Sequence, residues 1–202
     1  IVAYPDNLAG NWAEGCGCNN ADRLKIDDIG FTLALLDTLK ARFSIDAKRV
    51  FAVGYSQGAL FAQRLACELS EHFAAVACVA ATMSVPLSQN CAPQQPVAML
   101  MIHGMNDPIF PWQGKQQGIL SVLSANAVLQ LWAQKNACAG EPIKKSRAVT
   151  YGVGLTHWAY TDCSSGTEVH LYGMQGVGHT WPAGAINASR MIADFFAEQP
   201  KK

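Results

Sequence analysis

Residues 49–69 read RVFAVGYSQGALFAQRLACEL. The segment Arg49–Tyr55 is nearly continuously apolar, as expected of a central parallel strand covered on both faces. From Gln57 to Leu69 the pattern changes, and Leu60, Phe61, Leu65 and Leu69 fall on or near one helical face. Between the two stands Gly54-Tyr55-Ser56-Gln57-Gly58, a G-x-S-x-G turn in strand–turn–helix context. Glycines on both sides remove Cβ atoms where strand and helix crowd together, and Ser56 is expected in a strained conformation. Its hydroxyl then leaves the sheet at the N-terminus of a helix, where a nucleophile belongs. The backbone N–H of Gln57 is the matching candidate for one oxyanion donor.

Outward from this turn the chain alternates strand-like and helix-like segments. Ile1–Tyr4 reads as a short strand, and Asp6–Asn20 as a Gly/Asn/Cys-rich loop. Ile26–Phe43 carries Ile26, Ile29, Leu33, Leu36 and Leu39 at helical spacing. Phe73–Ala80 and Val97–His103 read as buried strands, Ser124–Asn136 as a helix, Val169–Met174 as a late strand and Ala188–Phe196 as a last helix. Buried strands alternating with helices predict one α/β domain over 1–202, with a mostly parallel sheet and helices on both faces. Ligands in such sheets bind beyond the carboxyl ends of the strands.

A serine nucleophile needs a base, and the base needs an orienting carboxylate. After the strand Val97–His103 comes Gly104-Met105-Asn106-Asp107-Pro108, which puts Asp107 in a turn at a strand's carboxyl end. Asp162 and Glu168 follow no buried strand. Of five histidines, His179 lies in Gly176-Val177-Gly178-His179-Thr180-Trp181-Pro182, a glycine loop directly after a strand. The order Ser56, Asp107, His179 is that of the G-x-S-x-G fold. His103 violates the order and reads as a brace for the acid turn; His72 reads as surface, His157 lies in an aromatic hairpin-like stretch and His170 in a strand.

The net charge is zero, with 15% of residues charged and 50% hydrophobic. That excludes a disordered tail and a strongly basic nucleic-acid binder. The longest apolar run, around Phe73–Ala81, is far short of a membrane span, and no basic leader precedes Ile1. Seven cysteines favour an extracellular protein with two or three disulfides. The odd one needs another explanation: Cys78 reads as a buried free thiol, and a partner for Cys16 or Cys18 could lie upstream. No Cys-x-x-Cys pair occurs, so no metal is expected. Gly152-Val153-Gly154 lacks the rest of a dinucleotide site, so no cofactor is expected either. Asn187-Ala188-Ser189 is a glycosylation sequon at a helix start, where Asn187 reads as an N-cap.

Several stretches resemble secreted esterases of the polyhydroxybutyrate-depolymerase-like and feruloyl-esterase group within the α/β-hydrolases. They are Tyr4-Pro5-Asp6, Asp27-Asp28-Ile29-Gly30-Phe31, Asp46 with Arg49-Val50, Gly54–Gly58, Arg64-Leu65-Ala66-Cys67, His103-Gly104 with Asp107, and Gly178-His179-Thr180-Trp181-Pro182. The resemblance implies ester hydrolysis by Ser56, Asp107 and His179, on feruloyl esters of plant cell walls. Hydroxybutyrate polyesters and acetylated xylan are alternative substrates, and a non-catalytic polysaccharide- or polyester-binding module is the rival class. The resemblance further implies disulfides Cys138–Cys163 and Cys67–Cys91. It makes Trp181 a wall of the acyl pocket, with Tyr55, Trp112 and Trp12 as further candidates. In this group the second oxyanion donor comes from a loop that precedes the Tyr-Pro-Asp element. Almost no chain precedes it here, so the sequence reads as an α/β-hydrolase without its first strands.

Overall fold

The computed structural model describes residues 1–116, 120–148 and 153–201. Six strands form one mixed sheet in the order β1-β2-β3-β6-β5-β4. Strands β1 (Phe51–Tyr55), β2 (Ala75–Val79), β3 (Ala98–Gly104) and β6 (Val169–Gln175) are parallel. Strands β4 (Ile143–Ala148) and β5 (Gly154–Tyr160) complete the sheet in antiparallel pairing. The helices are α1 (Asn20–Arg23), α2 (Asp28–Arg42), α3 (Gln57–Glu68), α4 (Val85–Asn90), α5 (Ala125–Lys135) and α6 (Ala188–Glu198).

Both sheet faces are apolar because helices cover both. Val76, Cys78, Met99, Met101, Val169 and Leu171 point into one core with α3, α4 and α5. The alternating residues Ala75, Ala77, Val79, Leu100 and Ile102 point into a second core with Ile192 and Phe195 of α6. This period-2 alternation between two apolar environments is why β2 and β3 read as continuous hydrophobic runs. All residues of both strands are buried.

Four helix starts are set by caps. Asn19, Asp27, Ser124 and Asn187 each accept a backbone N–H three residues on, from Asp22, Gly30, Ala127 and Arg190. Helix α2 accordingly begins at Asp28 rather than at Ile26, since the Asp27 side chain terminates it. The cap at Asn187 agrees with the sequence.

Three expectations need correction. Residues 1–4 form no strand; Tyr4 is 92% exposed and no described strand lies beside it. A lone extended segment leaves its backbone groups to water. Strand β1, which leads into Ser56, is an edge rather than a centre among the described strands, and Val53 is 52% exposed. Finally, Cys16 pairs with Cys18, so neither needs an upstream partner. Cys67 pairs with Cys91 and Cys138 with Cys163, which leaves Cys78 as the buried free thiol. Gly152 of the Gly152-Val153-Gly154 stretch lies outside the described residues.

Candidate active site

Ser56 sits between β1 and α3 with φ 54° and ψ −124°, a conformation that L-residues rarely adopt. Its backbone N–H is held by the Val79 carbonyl at 2.9 Å. The turn is tight enough that a Cβ on Gly54 would land on the Gly58 carbonyl group. Gly58 differs: a Cβ there meets nothing within 4 Å. Only the first glycine is therefore required sterically, and the symmetric expectation for the pair is corrected.

The Ser56 hydroxyl donates to His179 Nε2 at 2.9 Å, and His179 Nδ1 donates to Asp107 Oδ2 at 2.9 Å. The Asp107 side chain is fully buried, and that of His179 is 13% exposed. Asp107 Oδ1 accepts the N–H groups of Ile109 and Phe110 at 2.8 and 2.9 Å. His103 Nε2 donates to the Phe110 carbonyl at 2.8 Å, so this buried ring braces the acid turn. Burial lowers the His103 pKa and keeps the ring neutral.

The His179 loop lies directly on that turn. A Cβ on Gly104 would strike the carbonyls of Val177 and Gly178. The Asn106 N–H donates to the Val177 carbonyl at 3.0 Å, and Asn106 Oδ1 accepts the Gly176 N–H at 2.9 Å. Sixty-nine or more residues of chain separate these partners, so no local pattern in the sequence announces the link.

The Gln57 N–H is the first of α3 and has no carbonyl four residues back within the helix. The Gln57 side chain, missed in the sequence, is tied to the Trp12 backbone in both directions. Its Nε2 donates to the Trp12 carbonyl at 2.6 Å, and the Trp12 N–H donates to its Oε1 at 3.0 Å.

The aromatic candidates separate. The Tyr55 ring centroid is 5.2 Å from that of His179 and 6.2 Å from that of Trp181, edge to face. Its hydroxyl points to the His179 carbonyl at 3.5 Å. Trp181 Nε1 donates to Ser189 Oγ at 3.2 Å, which anchors the indole to α6. Phe110 lies 5.9 Å from His179. Trp112 is only 8% exposed and packs between His103 and Trp158, so it belongs to the core and not to a pocket rim. The reason is room: Gly173 leaves space on β6 that the indole fills. Trp12 stacks on Phe61 at 4.9 Å.

Beside α3 lies a buried carboxyl, Glu14, which accepts from Ser84 Oγ at 3.0 Å. Desolvation pushes its pKa up to about 7. Glu14, Cys16 and Cys18 are the described residues whose ligand atoms cluster closely enough for a metal ion. The two sulfurs are joined to each other, so they offer no thiolate.

The sequence profile of the dienelactone hydrolase family matches residues 19–137. Feruloyl esterase B of Piromyces equi is 26% identical over 190 residues, covering 89% of this chain and 33% of that protein. Feruloyl esterase C of Emericella nidulans is 30% identical over 115 residues, covering 56% of this chain and 38% of that protein. The chain thus spans about a third of the length of these curated relatives. Among solved structures, an acetyl xylan esterase from Aspergillus awamori superposes with a TM-score of 0.60 at 15% identity, over 95% of this chain and 74% of that one. That likeness concerns the fold.

Proposed function

Because the chain belongs to the dienelactone hydrolase family, with an α/β-hydrolase fold, we propose that it is a serine carboxylic ester hydrolase acting on feruloyl esters. The observation that carries this reading is the continuous Ser56–His179–Asp107 hydrogen-bonded line, with both links at 2.9 Å. A second carboxylate oxygen already occupied by two N–H groups leaves Asp107 one free direction, toward the imidazole. The names of the matched relatives favour the feruloyl substrate.

In this mechanism Ser56 Oγ attacks the ester carbonyl carbon while its proton passes to His179 Nε2. Asp107 stabilises the imidazolium. The negative charge on the carbonyl oxygen is met by the Gln57 N–H, at the positive end of α3. Collapse expels the alcohol, which takes the proton from His179, and leaves an acyl group on Ser56. Water then repeats the sequence, giving the free acid and Ser56. Exposed Tyr55 and half-buried Trp181 form an aromatic pair beside the imidazole, suited to a planar acyl group. The three disulfides support an extracellular setting.

Replacing Ser56 with Ala should remove fluorophosphonate labelling and lower nitrophenyl-ester turnover by at least about 10³-fold. Unchanged turnover would overturn the assignment. Failure of the unaltered protein to label, with retention on xylan or polyester, would favour a binding module. Methyl ferulate should be preferred over acetylxylan and a hydroxybutyrate oligomer; the opposite ranking rejects the feruloyl substrate but not the esterase.

A further inference from the structure

Building on the Ser56–His179–Asp107 reading, we infer that Asn106 is a positioning residue that clamps the histidine loop onto the acid turn. Three residues, Gly176-Val177-Gly178, separate the end of β6 from His179. Two are glycines, and Gly176 has φ +78°. A segment of this composition does not fix its own path. Yet it must hold both imidazole nitrogens within hydrogen-bond distance of their partners.

Asn106 holds the segment twice. Its Oδ1 accepts the Gly176 N–H, and its backbone N–H donates to the Val177 carbonyl. The adjacent residue, Asp107, holds the imidazole itself. One turn therefore grips the loop at three successive places: 176, 177 and 179. The backbone link at Val177 survives any substitution except proline, but the link to Gly176 depends on the side chain. That link needs an acceptor of asparagine length. An amide oxygen supplies it without setting a second negative charge next to the Asp107 carboxylate.

Asn106 is exposed, so its replacement leaves the core untouched. Asn106→Ala should lower kcat for a nitrophenyl ester by about 5–30-fold, since small misplacements of a reacting group cost that much or more. KM should stay within about twofold, because Asn106 acts through His179 and not on the ester. Exchange of the Gly176 amide hydrogen should accelerate by a similar factor. Asn106→Asp, which keeps an acceptor of the same length, should recover most of the Gly176 protection. Wild-type kcat and wild-type Gly176 exchange in Asn106→Ala would overturn the inference. So would a loss of Gly176 protection that Asn106→Asp fails to restore. If the unaltered protein does not label with a fluorophosphonate, the esterase reading fails instead. Gly176 exchange in the two variants then still decides whether the clamp exists.

Discussion

The carboxylate of Asp107 divides its two oxygens between two tasks. Oδ1 closes its own turn through Ile109 and Phe110, and Oδ2 orients His179. A buried carboxylate with its acceptor sites filled is held rigidly, which is what an orienting group requires. The elbow glycines show how unequal two similar residues can be. Gly54→Ala would drive a methyl group into the Gly58 carbonyl, between two backbones that cannot yield. It should lower stability by about 2 kcal/mol or more and displace Ser56. Gly58→Ala has open space, and its φ is not in the left-handed region. Within α3 it should be neutral or stabilising by about 0.5–1 kcal/mol. Melting temperatures of the two variants would check this; equal losses would mean that the elbow is not packed as described. Ser56, Asp107 and His179 could be picked out from the sequence because each follows a strand and sits among local turn residues. The links from Gln57 to Trp12 and from Asn106 to Gly176 could not, since they span 45 and 70 residues and leave no periodic trace.

Strands β2, β3 and β6 and helices α3 and α5 were legible because burial on two faces, or on one, imposes an apolar pattern. Strand β4 reads Ile-Lys-Lys-Ser-Arg-Ala, and as an edge strand it needs no such pattern, so only its partner's aromatic residues hinted at a hairpin. The elements around β2 are also joined covalently. Cys67 of α3 is bonded to Cys91 at the end of α4, which closes a loop across 24 residues that contains all of β2. Both cysteines are buried. Closing a loop of that length stabilises by about 3 kcal/mol through the unfolded state. The double variant Cys67→Ala with Cys91→Ala should melt roughly 6–12 °C lower. Its kcat should change little while folded, because the bond lies at the end of α3 remote from Ser56 in sequence. An unchanged melting temperature would show that the loop is already constrained by packing, and a selective loss of kcat would show that the bond also shapes the elbow.

Stability against pH combines buried groups of opposite sign. Burial lowers the pKa of His103, His157 and His170, the last to about 4. The His157 and His170 rings lie 4.9 Å apart on neighbouring strands; His157 stacks on Tyr172 and His170 packs against Phe195 of α6, with Lys145 adding to the effect on His157. Glu168 Oε2 approaches His170 Nε2 to 3.0 Å, off the direction of a hydrogen bond, and burial outweighs it. Below about pH 6.5 the unfolded chain binds protons that the folded histidines refuse. Stability is therefore complete above that pH and falls as pH drops toward 4. Glu14 acts in the other direction. Its folded carboxyl keeps its proton to about pH 7, whereas the unfolded one ionises near 4.5, so stability falls as pH rises between those values. Glu168, also raised by burial and by Glu198, has the same sign. The histidines therefore set an acid limb, a loss of stability as pH falls from about 6.5 toward 4, and Glu14 opposes it with an alkaline limb, a loss as pH rises toward about 7. Glu14→Gln keeps the acceptor for Ser84 Oγ and removes the ionisation. It should raise stability at pH 8 by roughly 1–3 kcal/mol and change little at pH 4.5. His170→Phe should flatten the acid limb and leave the alkaline one intact. A Glu14→Gln variant that gains nothing at pH 8 would mean that the carboxylate is solvated in the folded protein, and a His170→Phe variant with an unchanged acid limb would assign that limb to His103 and His157.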